Sequence, residues 1–269
     1  MPELPEMENY RLLLNQKISG HVIKDIEINR IKSINVAPED FQEKVLSQKV
    51  VNIERKAKHL LFHLENGYIL LLHLMLGGLM YYGSDDDKPK RTIQIQLSFG
   101  GETLFFIGLR LGYLHLYDEQ GIKQELSHLG PEPLEQAFTL DLFLKMIEKK
   151  RGRLKAKLVD QQFISGIGNC YSDEICYHAR ILPIREISEL TQGEAAQIYR
   201  SIKEVLQDAL KHGGYIETPF FKDDALTGGF DSLCKVYDRE GETCLRCGSK
   251  IKKEIISSRK VFYCTGCQK

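Results

Sequence analysis

Two cysteine pairs near the end of the chain, Cys244-x-x-Cys247 and Cys264-x-x-Cys267, leave its last segment few ways to fold. Each pair can grip one metal ion from a tight turn, and the sixteen residues between the pairs can form the hairpin that joins them. Four thiolates in a tetrahedral array suit zinc and leave no position open for water or substrate, so the expected ion is structural. It would hold together a segment too short to support a core of its own. The total of seven cysteines is odd, and five of them fall after residue 233, which disfavours a disulfide framework. Cys170, Cys176 and Cys234 read as buried thiols.

With 269 residues, 42% of them hydrophobic and 28% charged, the chain can fill two ordinary domains and is too apolar to be disordered. Its 37 basic residues balance 37 acidic ones, so any surface for a polyanion must be local. Two stretches are biased in this way. Residues 149–157 carry six Lys or Arg and no acid, and residues 234–269 carry nine bases against four acids. A lone basic run is more often a solvated helix face, so these two count only beside the motifs described next. The N-terminus lacks a basic region followed by an apolar run. The longest apolar stretch, Tyr68 to Met80, is interrupted by His73, Gly77 and Gly78. No membrane association and a cytoplasmic location are therefore expected.

The expected fold class is α+β. After a leading helix, residues 21–117 hold short, partly alternating apolar runs separated by turn residues, the pattern of an antiparallel β-sandwich or barrel. Asn66-Gly67 and Gly100-Gly101 mark tight hairpin turns. Beyond Pro131 the period becomes helical. Thr139 caps one helix to about Lys149, a second runs from Leu154 to Gln161, and Thr191 with Glu194 forms a capping box opening a third, whose core face is Ile198, Ile202, Val205, Leu206 and Ala209. His212-Gly213 should end it. This divides the chain into 1–130, 131–233 and 234–269. The glycine-rich stretch 213–233 has no clear period and suits a functional lid, with disorder as the alternative.

Two further motifs carry chemistry. Gly166-Ile167-Gly168-Asn169 joins a basic helix to a new one, where the glycines admit a close approach and the exposed N–H groups attract an anion such as a phosphate. Asn169 could equally be a plain helix cap. At the start, Met1-Pro2-Glu3-Leu4-Pro5-Glu6 would expose a proline secondary amine once Met1 is removed, a nucleophile with Glu3 and Glu6 beside it to handle protons. An α-amine has a reference pKa of about 8, so part of it is neutral near pH 7, whereas a lysine at about 10.4 would need burial to match. The alternative is an ordinary helix N-terminus with acids at the positive end of its dipole.

Taken together and in this order, these motifs resemble those of the formamidopyrimidine-DNA glycosylase and endonuclease VIII family. PELPEMENY resembles its catalytic opening, ERKAKHLLF its lysine loop, and LVDQQFISGIGNCYSDEI its helix-two-turn-helix. VYDREG with CLRC and CTGC resembles its zinc-finger hairpin. The resemblance runs from Pro2 to Gln268. It implies an N-terminal β-sandwich, a helical helix-two-turn-helix domain and a four-cysteine zinc ribbon. It also implies a monomeric, DNA-associated repair enzyme of a bacterial nucleoid, acting on double-stranded DNA that holds a damaged base or an abasic site. Pro2 would attack the sugar's anomeric carbon and expel the base. Glu3 would protonate the ring oxygen, and β,δ-elimination through the iminium would nick the strand. Lys58, Gly168, Asn169 and Arg259 would hold the kinked backbone while the nucleotide is flipped out.

This sequence departs from the family where that flipped nucleotide leaves a gap. Leu76 stands at the wedge position, Leu109 and Leu111 where an arginine and an aromatic are usual, and Arg110 remains as a phosphate contact. An aliphatic probe offers no donor to the orphaned base, so weak discrimination among opposite bases is expected. Ser258 stands where a glycine usually precedes the finger arginine. Tyr215, Ile216 and Glu217 differ from the small hydroxyl residues of the oxidised-guanine branch. Two other readings stand beside this one: a noncatalytic reader of abasic or distorted DNA, which follows from the changed void-filling loop, and a protein-binding zinc ribbon that never touches DNA, which fits the zero net charge but ignores the opening motif and GIGN.

Overall fold

The computed structural model describes residues 1–148 and 150–269. Lys149, which begins the first basic run and was expected to end the first mid-chain helix, lies outside the described residues. Packing groups the chain into two compact units, Met1–His128 with His212–Gly229, and Leu129–Lys211 with Phe230–Lys269.

The first unit opens on α1 (Leu4–Ile18), followed by β1 (Asp25–Ile28) and the short α2 (Pro38–Val45). Seven strands come next: β2 (Val50–Lys56), β3 (His59–Leu64), β4 (Ile69–His73), β5 (Leu79–Gly83), β6 (Ile93–Ser98), β7 (Thr103–Ile107) and β8 (Tyr113–Tyr117), and α3 (Glu119–Glu125) follows them. The strands form two four-stranded antiparallel sheets, ordered β1-β6-β7-β5 and β2-β3-β4-β8. This is the sandwich that the alternating runs suggested. Side chains such as Phe62, Leu70 and Leu72 from one sheet and Ile95, Leu104 and Phe106 from the other fill a single core, with Met7, Tyr10 and Leu14 of α1 packed into it. Asn66-Gly67 makes the β3–β4 turn, with Gly67 at φ +86°.

The segment 212–229, assigned on sequence grounds to the helical domain, packs in the first unit instead, and it is ordered. Phe220 is fully buried, its carbonyl accepts the Tyr82 N–H at 2.7 Å, and its ring stacks on Tyr82. Asp224 accepts the backbone N–H groups of Phe220, Leu226 and Thr227, closing the loop on itself.

The second unit contains α4 (Leu140–Ile147), α5 (Leu154–Leu158), α6 (Asn169–Ala179), α7 (Gln192–Lys211) and the hairpin β9 (Ile251–Ile256) and β10 (Arg259–Cys264). Thr139 caps α4 through the Leu142 N–H, and Thr191 with Glu194 makes the capping box of α7, as the sequence indicated. The second helix is shorter than expected, ending at Leu158. The finger hairpin is built onto α6 rather than standing apart. The buried Glu174 carboxylate accepts the N–H groups of Lys235, Val236 and Tyr237, each at 2.9 Å. No helix among the described residues is long and apolar enough to cross a membrane.

Candidate active site and metal centre

Pro2 is buried, and Glu3 (1% exposed) caps α1. Glu6 accepts the Glu3 N–H at 2.7 Å in a capping box and, through its other oxygen, the Tyr215 N–H at 2.9 Å. Gly214 makes that approach possible. Its φ is +78°, and a Cβ there would lie 2.2 Å from Glu6 Oε1. Both Glu6 oxygens therefore receive backbone donors that fix the N-terminal turn to the 212–229 loop. Tyr215, noted in the sequence only as a departure, donates its hydroxyl to the Met1 carbonyl at 3.1 Å. No sequence signal marked this contact, which spans almost the whole chain.

Lys58 is 4% exposed in the turn between β2 and β3, where Ala57 takes the left-handed conformation at φ +54°. Beyond it, the His59 and His73 rings meet edge to face, their centroids 4.5 Å apart. Burial, with the neighbouring Lys58 charge, holds both rings neutral, pushing His59 down to about 4 and His73 to about 3. Because these folded values lie below the unfolded value of about 6.5, the stability they contribute is complete above that pH and is lost as pH falls toward 4. We expect a drop in unfolding free energy between pH 7 and pH 5 of up to about 2 kcal/mol per ring. Urea midpoints at the two pH values check this, and His59→Phe should show the smaller drop; an unchanged difference would refute the assignment.

At the loops that follow β4 and β7, Leu76 and Leu111 are 64% and 62% exposed, and Arg110 is exposed. Leu109 is not: it is fully buried in the sandwich core, its N–H donated to Gln94 Oε1 at 2.8 Å. The sequence assignment of Leu109 to a DNA-facing probe is thus corrected. The turn at Gly108 (φ +71°) sends this side chain inward and leaves Leu111 outward. Arg91, which the motifs did not single out, donates to the Gly77 carbonyl at 2.9 Å. With Leu76, Thr92, Gln94 and Arg110 it lines an open groove of about 500 Å³.

In the second unit the α5–α6 turn leads into α6 through Gly166 at φ +94°. Gly168, not Asn169, is the N-cap. Asn169 is the first helical residue, so its side chain is not spent on capping. Lys155 and Asp173 form a buried ion pair at 2.7 Å. Lys155 also donates to the Lys260 carbonyl, and Asp173 accepts the Phe262 N–H, which ties α5 and α6 to β10. Burial, opposed by Lys155, raises Asp173 to about 7. The exposed Arg259 follows a turn in which Ser257 and Ser258 both have positive φ, +50° and +63°, so the hairpin tip keeps its tight geometry without the expected glycine.

The sulfur atoms of Cys244, Cys247, Cys264 and Cys267 lie within 4.8 Å of one another. Tetrahedral zinc with bonds of about 2.3 Å separates its sulfurs by about 3.8 Å, so the cluster fits that ion. Burial and the Cys264 and Cys244 sulfurs push Cys267 up to about 12, so the four groups become thiolates together only with a cation among them. Tyr177 Oη lies 3.5 Å from Cys244 Sγ, and Arg246, stacked on the Tyr177 ring, reaches Cys267 Sγ at 3.6 Å.

Comparison with known proteins assigns family models to three stretches: the formamidopyrimidine-DNA glycosylase N-terminal domain to residues 1–113, its H2TH domain to residues 129–220, and a zinc finger found in FPG and IleRS to residues 241–269. The chain is 36% identical to a formamidopyrimidine-DNA glycosylase of Pelotomaculum thermopropionicum over 100% of its own length and 99% of the relative's. It is 32% identical to one from Bacillus cereus over the same shares. Among solved structures, a complex of Lactococcus lactis Fpg with abasic-site DNA matches with a TM-score of 0.93 at 28% identity, covering 99% of both chains. A mutant of the same protein with Fapy-dG-containing DNA matches at 0.92, covering 100% of both.

Proposed function

The chain belongs to the formamidopyrimidine-DNA glycosylase family and is a DNA glycosylase and abasic-site lyase of base excision repair, and on that footing we propose the roles of its residues. Four cysteines hold one structural zinc ion. After removal of Met1, the Pro2 nitrogen attacks the anomeric carbon of a damaged nucleotide in double-stranded DNA. The C–N bond to the base breaks, the base leaves with that electron pair and takes up a proton, and the Pro2 nitrogen gives up its own; protonation of the ring oxygen then breaks the bond between the anomeric carbon and that oxygen, and the nitrogen's electron pair forms the iminium that joins Pro2 to the opened sugar. Glu3 serves the proton transfers at the ring oxygen. Loss of a proton from the adjacent sugar carbon expels the 3′ phosphate, and a second elimination expels the 5′ phosphate.

Glu6 acts through position: with both oxygens on backbone donors, it links Glu3 to the 212–229 loop beside Pro2. Lys58, Asn169, the α6 N-terminus at Gly168, and Arg259 hold phosphates. Leu76 and Leu111 fill the gap in the stack, with Arg110 on the backbone beside them. A location on the nucleoid in the cytoplasm, as a monomer, completes this reading. The observation that carries it is the burial of Pro2 and Glu3 at the start of α1, where Glu6 joins the Glu3 N–H to the Tyr215 N–H of the 212–229 loop. Borohydride trapping on abasic duplex tests it. A covalent adduct that needs Pro2 supports the reading, and lesion binding without an adduct replaces it with a noncatalytic reader.

Because Leu109 is in the core, no side chain stands at the usual arginine position. We expect excision rates opposite the four bases to lie within about tenfold of one another, since a bidentate base contact worth about 1–3 kcal/mol is missing. Glycosylase assays on duplexes that differ only in the opposite base check this. A preference of a hundredfold for one base would overturn it and make Arg91, the other guanidinium of that groove, the residue to replace.

A further inference from the structure

Met1 occupies the one valence that the reaction has to use. The Pro2 nitrogen is bonded to its own Cα and Cδ, so its third substituent has a single direction, and in this structure that substituent is the Met1 carbonyl carbon. The amide nitrogen is planar, as is the nitrogen of an iminium. Once Met1 is removed, a sugar carbon bonded to Pro2 therefore comes to lie where the Met1 carbonyl carbon lies. The Met1 oxygen, one bond further out, marks where an oxygen on that sugar carbon can sit.

Tyr215 touches this oxygen. Its hydroxyl donates to the Met1 carbonyl at 3.1 Å and lies 3.4 Å from the Met1 amine, which donates to it. The backbone of the same residue is held independently of Met1. Its N–H is on Glu6 Oε1 at 2.9 Å, and the preceding Gly214 packs against that carboxylate with no room for a Cβ. Removal of Met1 thus takes two partners from the hydroxyl and leaves the tie between loop and α1 untouched. A serine or threonine hydroxyl on the same backbone would stop well short of this position.

We propose that Tyr215 is a catalytic residue for the reaction at abasic sites, its hydroxyl donating to the oxygen that the anomeric carbon must lose. In the ring-opened abasic site that carbon is an aldehyde. The Pro2 nitrogen bonds to it, the C=O π pair moves onto the oxygen, which takes up a proton, and the nitrogen gives up its own. The C–O bond breaks once the oxygen has a second proton, water leaves, and the nitrogen's electron pair forms the iminium. The nitrogen's proton and one from the solvent balance the two that leave in water. The phenol O–H, both donor and acceptor, holds this oxygen and passes the proton to it. The role rests on the reading that Pro2 is the nucleophile.

The test is single-turnover borohydride trapping on abasic duplex, using protein whose Met1 is removed. Tyr215→Phe removes one oxygen and keeps the backbone N–H that Glu6 holds. Its trapping rate should fall about 100-fold, the low end of what one donor or general acid supplies. Its affinity for a tetrahydrofuran abasic analogue, which has no aldehyde oxygen, should stay within about twofold of wild type. Imidazolium raised at fixed pH and ionic strength should return about tenfold of the lost rate to the variant and leave wild type unchanged, because a dissolved acid replaces a missing proton donor but not a misplaced nucleophile. A variant that traps at the wild-type rate overturns the proposal. A slow variant that imidazolium does not rescue, or that has also lost affinity for the analogue, reduces Tyr215 to a prop for the N-terminus. Wild-type protein that forms no adduct removes instead the Pro2 reading on which the proposal rests.

Discussion

Protein that keeps Met1, or whose Pro2 nitrogen is acylated, should give no borohydride-stable adduct with abasic duplex, while the Met1-free protein should give one adduct per chain. The reason is the nitrogen's electron pair. In an amide it is delocalised into the carbonyl, and only the free secondary amine can attack carbon and form the iminium that borohydride reduces. Pro2→Gly leaves a primary amine on a freer backbone and should trap far more slowly, because the ring no longer fixes rotation about the N–Cα bond that aims the nitrogen. Glu3→Gln keeps the capping position but cannot transfer a proton. Excision should fall by about 10²- to 10⁴-fold while binding to a stable abasic analogue is retained. Intact mass before and after reduction reads the adduct. A Met1-retaining chain that still traps would place the nucleophile elsewhere, with the buried Lys58 as the next amine to replace.

What could be read from the sequence is what lies close along the chain. The two Cys-x-x-Cys pairs, the Asn66-Gly67 turn and the Thr191–Glu194 box each close within a few residues, so spacing alone predicts their geometry. The ties that set the site do not. Glu6 to Tyr215 spans 209 residues, Asp173 to Phe262 spans 89, and Glu174 to Lys235 spans 61. In each case a carboxylate meets a backbone N–H, a pairing that no side-chain motif announces. Leu109 shows another limit. Its place in the motif suggested a probe, but β7 ends at Ile107 and the chain turns at Gly108 (φ +71°), after which the Leu109 N–H bonds Gln94 with its side chain in the core while Leu111 stays exposed. Likewise 213–233 reads as structureless because its order comes from Phe220 and Asp224 contacts that have no period.

Removing the zinc should cost the protein its grip on DNA before its N-terminal sandwich unfolds. Structural zinc binding supplies about 10–16 kcal/mol in finger peptides, more than a segment of this size gains from burial. Without it β10 has little to hold it, and its loss reaches further than Arg259. Phe262 no longer donates to Asp173, and the Lys260 carbonyl no longer accepts from Lys155, so a buried ion pair loses two of its partners and the α5–α6 turn loses its support. Cys247 is the exposed member of the cluster and the natural point of entry for a chelator. We therefore expect one zinc ion per chain, released by chelation or by Cys264→Ala. Duplex affinity should fall at least a hundredfold, and an early thermal transition from the second unit should precede that of the sandwich. Metal analysis, DNA titration at fixed salt and calorimetry read these three outcomes. Zinc-free protein with unchanged melting and DNA binding would show that the four thiols hold the hairpin without the ion, and the structural assignment would fall.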